Sequence, residues 1–416
     1  MKTVIDLPEK REGKPRGIPA LRSLYNPNYR RFWLATALNY SAWHMLLTTL
    51  AWFMLQRTDS PLFVSLVYAV NLSPMAFLSP ISGVIADRFN RKMVIFFSDV
   101  ITLAVYLSIA ILVFSDLAST AIILGVLGVG GVALAMGLTS RTAYVPNLVR
   151  REELSNALAL TVSLFSLSLI VGPATAGFLI SAFDVEPALF ISSGLLIPSL
   201  MLFLSTHPHE QAKPSHGESF LRNLVEGFNY VRKSSVILAL IFTGAVITIF
   251  AIPYQALMPV IARDELGVGS EGLGLLLGAA GVGALVSTLF LANWGETRYR
   301  HYTISLAGIG GGLFLIPFSL SPYFLLSLLL LFFAGFMINS FLTTNLILVQ
   351  TIVPDYIRGR VLSMRMIIFG LIPVGQVTAG AASEVVGAPT TIAVSGALCA
   401  LFMLILVLRS PEVRRI

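Results

Sequence analysis

Gly83, Asp87, Arg88, Arg91 and Lys92 follow the spacing G-x-x-x-D-R-x-x-R-K, one acid beside three cations in a short turn between two apolar runs. So short a turn forces the flanking helices into an antiparallel hairpin. Gly83, one turn before Asp87, lets a neighbouring helix approach the backbone. The plainer alternative is a basic loop that only sets topology. Other polar groups interrupt apolar stretches. Asn39 and Trp43 share one helical face, and Tyr40 and His44 share the next. Asp99 lies about two turns beyond Lys92, within reach of a charged gate or, alternatively, of a proton-coupling site. Tyr254 and Asn339 are polar points in later runs, and Arg358, Arg360 and Arg365 cluster near the start of the eleventh. Arg365 either snorkels to the inner surface or pairs with Asp87 or Asp99. No phosphate loop, H-E-x-x-H motif or Cys/His cluster occurs. No metal, cofactor or enzyme activity is expected.

The elements that must carry these groups are membrane helices. The chain has 416 residues, 56% hydrophobic and 12% charged, against roughly 25% charged in soluble domains. Apolar runs long enough to cross a ~30 Å hydrocarbon core recur throughout. Twelve spans are predicted: 32–56, 62–86, 93–114, 120–142, 156–183, 187–206, 235–262, 271–292, 302–320, 323–349, 361–385 and 389–408. With both termini inside, the inner side holds all but Arg57 and Arg263 of the 28 Lys and Arg residues. That split follows the positive-inside rule and ties the net charge of +7 to anionic lipid headgroups, not nucleic acid.

Residues 1–31 read as a basic cytoplasmic tail without an apolar signal core, and 410–416 as a short second tail. Between them lie a bundle over 32–206, a linker over 207–234 and a second bundle over 235–409. Phe220, Leu221, Leu224, Phe228 and Val231 give the linker an amphipathic helix at the inner interface. An offset of 208 pairs Val145-Pro146 with Val353-Pro354, Arg150 with Arg358 and Gly172 with Gly380, the mark of an internal repeat. Span 4 is glycine-rich with no arginine in its membrane interior, and Arg141 opens the inner loop that follows. In span 5, Gly172, Pro173 and Gly177 predict a kink with close helix contacts. Cys399 stands alone in the last run, so no intrachain disulfide forms.

The Gly83–Lys92 motif between spans 2 and 3 resembles that of the major facilitator superfamily, with Asn90 where the family usually has glycine. Asn tolerates positive φ nearly as well, so the turn is expected to survive. The resemblance covers nearly the whole chain. At Leu55–Pro61, Val145-Pro146 and Arg358–Ser363 it is closest to the bacterial branch of enterobactin exporters and macrolide efflux proteins. It implies an all-α membrane protein with twelve helices in two six-helix repeats, a monomer in the cytoplasmic membrane working by alternating access. It further implies an inner gate of Asp87, Arg88, Arg91 and Lys92 pairing across the two halves, with Asp99, Arg141, Arg358, Arg360 and Arg365 as network candidates. Asn39, Trp43, His44, Tyr254 and Asn339 become cavity candidates. The implied cargo is an amphipathic siderophore-like or drug-like molecule, exported against protons. A lysophospholipid carrier, an uptake permease and a non-transporting sensor or scaffold stay open.

Overall fold

The structure is a computed structural model. It describes the backbone of residues 19–117, 119–208, 220–293, 300–354, 357, 359–362 and 368–409, and the side chains of these except 19–20, 79–88, 220–225, 227, 292–293 and 300–302. The described residues form helices and no strand. In chain order the α-helices are α1 (Pro27–Thr58), α2 (Pro61–Arg88), α3 (Arg91–Phe114), α4 (Thr120–Tyr144), α5 (Leu154–Phe183), α6 (Val185–Gly194), α7 (Leu196–Leu204), α8 (Phe220–Lys233), α9 (Ser235–Val246), α10 (Tyr254–Val260), α11 (Gly269–Asn293), α12 (Arg300–Ser319), α13 (Phe324–Ile352), α14 (Ile372–Val386) and α15 (Ala388–Arg409).

Nine helical stretches among the described residues are long and apolar enough to cross a membrane. Three more helices stand where spans are expected. The 32-residue α1 carries Asn39, Tyr40 and His44 on its inner faces, Thr303–Ser319 is a shorter apolar helix, and α14 begins beyond a stretch outside the described residues. Large apolar side chains such as Phe77, Phe114, Leu325 and Leu408 point outward, the arrangement of a chain whose solvent is lipid.

Within residues 27–204, α1 packs on α5, α6 and α7, α2 on α4, and α3 on α4. Within 235–409, α12 packs on α13 and α15, α11 packs on α13, and the run Ser235–Glu265 touches α11, α14 and α15. Two large contacts join the groups, α5 with α11 and α2 with α14.

The turn before α3 survives, and one span departs from a plain α-helix. Asn90 has φ −62° and is not left-handed; its side chain accepts a hydrogen bond from Lys92 N as the N-cap of α3. A short polar side chain can satisfy an otherwise unpaired N–H there, which glycine cannot. The predicted helix over 235–262 is a run to Glu265 containing π-turns at Ile247–Ala251 and Ile261–Glu265. Pro253 and Pro259 lack an N–H, and around them the ladder slips, with Ile252 N donating to Ile247 O at 3.0 Å and Leu266 N to Ile261 O at 3.0 Å.

Candidate functional site

Asp99 of α3 and Arg141 of α4 form a buried ion pair. Arg141 Nη2 donates to Asp99 Oδ1 at 2.5 Å and Oδ2 at 2.7 Å, and Nη1 to Thr36 Oγ1 at 3.3 Å. Asn39 Nδ2 donates to Asp99 Oδ1 at 3.2 Å, while the guanidinium lies 5.9 Å from the Phe203 ring centroid. Glycines allow this approach: a Cβ on Gly137 would sit 3.3 Å from Ser98 Cβ, and one on Gly130 3.0 Å from Val105 Cγ1. Beside the pair is a cavity of about 20 Å³, lined among others by Asn39, Tyr40, Trp43, Thr102 and Tyr106. That is room for about one water.

The expectation that Arg141 opens an inner loop is therefore corrected. α4 continues to Tyr144 and Arg141 is 2% exposed. Its long side chain finds its counter-charge one helix away, inside the same group. Asp99 therefore has a partner that is not Arg365, which lies with Arg358 outside the described residues.

At the charged turn, α2 is helical through Arg88, but the side chains of Gly83, Asp87 and Arg88 lie outside the described residues. Arg91 Nη1 donates to Ala143 O at 2.8 Å and Asn147 Oδ1 at 3.3 Å. Lys92 Nζ donates to Leu204 O at 2.9 Å and Thr206 O at 2.6 Å. Both cations thus meet carbonyls at the C-terminal ends of α4 and α7, where the helix dipole favours positive charge. These contacts stay within their own helix group. Arg360 pairs with Glu226 of α8, tying the linker helix to the second group.

The five cavity candidates do not converge. Asn39 and Trp43 share the small cavity, with Trp43 Nε1 donating to Asn71 Oδ1 at 2.9 Å. His44 turns toward α5, its Nδ1 3.1 Å from Tyr40 O and 3.3 Å from Ser168 Oγ. Asn339 donates to Ala284 O at 2.9 Å and Thr288 Oγ1 at 3.0 Å, holding α13 on α11. Tyr254 is buried near Phe250, Leu315 and Ile392.

The glycines of span 5 touch different partners. A Cβ on Gly172 would meet His44 Cβ at 2.6 Å; one on Gly177 would meet Ser270 O of α11 at 2.3 Å. α5 continues through Pro173 unbroken, and Pro173 O faces Gly274.

The helix ends opposite the charged turn hold contacts that composition alone does not single out. Arg263 Nη1 donates to Leu55 O at 3.2 Å, and its Nη2 pairs with Asp59. Glu384 accepts hydrogen bonds from Ser60 Oγ and, at 3.1 Å, from Leu62 N. Between pairs of described residues, these are the hydrogen bonds that cross from the first helix group to the second. Arg263 being one of two outer cations was the available signal. Exposed pairs of this kind contribute about 0–1 kcal/mol each, so such a closure is reversible.

Two helix groups joined along two seams, with charge pairs inside and at the ends, define a transporter of the major facilitator type. Residues 18–415 match the family described as transmembrane secretion effector, and the chain belongs to it. It is similar to macrolide efflux protein A of Streptococcus pyogenes, 24% identical over 88% of this chain and 92% of that one. It is also similar to the staphyloferrin A transporter of Staphylococcus aureus, 23% identical over 83% and 87%. Among solved structures, a POT family transporter in complex with 5-aminolevulinic acid superposes with a TM-score of 0.75 at 10% identity, covering 92% of this chain and 96% of that one. At that identity the likeness concerns the fold.

Proposed function

We propose that this protein is a secondary active exporter of amphipathic small molecules, siderophore-like or drug-like, in the cytoplasmic membrane. Two bundles, 32–206 and 235–409, rock about a central path, and the linker 207–234 and both termini face the cytoplasm. Protons moving inward drive export. The observation that carries this reading is the outer closure: helices of the two groups meet through glycine contacts and a few exposed polar pairs, a seam built to part. The chain's relatives include proteins named for macrolide efflux and for staphyloferrin A, which supports the cargo class. The scarcity of buried charge suits an amphipathic solute better than an inorganic anion.

In this reading Asp87, Arg88, Arg91 and Lys92 hold the inner side during outward opening, and Asp99–Arg141 fixes α3 to α4 behind them. Rocking requires that each state lie within a few kcal/mol of the other. The test is uptake of siderophores, macrolides and cationic dyes into inside-out vesicles containing the protein, with and without an imposed pH gradient. Accumulation of one class only under the gradient is the expected result. Accumulation independent of the gradient removes the proton from the scheme, and none by folded protein removes export.

A further inference from the structure

α2 runs inward from Pro61 and α14 runs outward to Val386, so their contacts read in antiparallel register. Glu384 meets Ser60 and Leu62 N at the rim. One turn deeper, a Cβ on Gly380 would lie 2.6 Å from Ser65 Cβ and 3.1 Å from Leu62 Cα. Gln376, Gly380, Ser383 and Glu384 fall at intervals of three and four, on one face of α14. Along this seam Ser65, Gln376 and Ser383 are 0%, 2% and 4% exposed. Their Oγ, Oε1 and Oγ atoms have no hydrogen-bond partner.

An unpaired buried polar atom is costly in any interior and the more so in hydrocarbon, where no water relieves it. A seam meant to stay shut would be better served by alanine or leucine at these places. On the exporter reading the two helices belong to groups that part when the outer side opens, which would bring these atoms to the solute path. Over them sits a closure made of Glu384 on the first turn of α2, and of Arg263 on the last carbonyls of α1 with Asp59 beside it.

Resting on the transporter reading above, we propose that Ser65, Gln376 and Ser383 line the outer half of the solute path, and that Glu384–Ser60 and Arg263–Asp59 latch this path shut. The lining is neutral and rich in hydrogen-bonding oxygen. It fits solutes bearing hydroxyl, amide or amine donors on an apolar body.

Cys399, the chain's only cysteine, is buried and can be replaced to give a cysteine-free background. Ser65→Cys, Gln376→Cys and Ser383→Cys would each be labelled in intact cells with a membrane-impermeant maleimide. Val385→Cys, 84% exposed beside them, is the reference. Each would be measured with the latch intact and with Glu384→Ala plus Arg263→Ala. Loss of two weak contacts should raise labelling at 65 and 376 roughly tenfold while leaving 385 unchanged. Equal, slow labelling at 65 and 376 in both backgrounds overturns the proposal, as does labelling there as fast as at 385 with the latch intact. Should the cysteine variants fail to fold, Ser65→Ala with Ser383→Ala serves instead. It should raise Tm and lower transport, and a raised Tm with unchanged transport overturns the proposal. Dye transport by the cysteine-free protein is read in parallel. Its absence counts against the exporter reading alone, because labelling reports the seam without any solute.

Discussion

Arg141 is 2% exposed and, among the described residues, its charge is balanced by Asp99 with Asn39 as support. Removing one partner of such a pair strands the other charge, at a cost of about 3–5 kcal/mol, whereas replacing both by apolar groups is often neutral or stabilising. Asp99→Asn should therefore lower the unfolding temperature in detergent sharply, and Asp99→Leu with Arg141→Leu should recover most of it. If the double variant also transports at the wild-type rate, the pair is structural only; a stable but inactive double variant gives it a part in the cycle. A second residue-scale expectation concerns the turn. Asp87→Asn should leave expression intact and slow transport severely, measured as dye efflux. Wild-type efflux would remove Asp87 from the gate.

Among the elements, α5 and α11 offer the sharpest contrast. A Cβ on Gly177 would lie 2.3 Å from Ser270 O, and one on Gly274 2.6 Å from Pro173 O, closer than any real contact. The backbone must move apart to admit even a methyl group, and bundles in lipid depend on such small-residue approaches. Gly177→Ala should thus abolish closure of the outer side and reduce efflux at least several-fold. Gly125→Ala, with nothing within 4 Å of the new atom, should leave efflux unchanged. Equal effects of the two would mean that the α5–α11 contact does not limit the cycle. The span 5 glycines drew attention in the sequence as a kink; their neighbours could not be read there, since Gly172 meets α1 and Gly177 meets α11.

Across the whole molecule, the charge asymmetry predicts an orientation. Val385→Cys in a Cys399→Ala background should react with impermeant maleimide in intact cells, and Arg409→Cys only after permeabilisation. The reverse pattern would invert the topology and with it the direction of transport. The same scale frames the outer closure. Arg263 and Glu384 reach from the second helix group to opposite ends of the α1–α2 turn, one at its last carbonyls and the other at its first N–H groups. Each charge sits at the helix end whose dipole it complements.

Membrane embedding, the repeated helices and the charged turn between spans 2 and 3 were legible in the chain itself, because hydropathy and charge act locally and lipid leaves the backbone almost no choice but helix. So was the value of Asp99 as an isolated acid in an apolar run. Partners were not legible. That Asp99 holds Arg141, that Lys92 holds the end of α7, that Asn339 serves α11 and that Glu384 serves α2 are decided by pairings across 40 to more than 300 residues. Helical periodicity tells which side chains share a face, but the neighbour that face meets is set by how the helices pack.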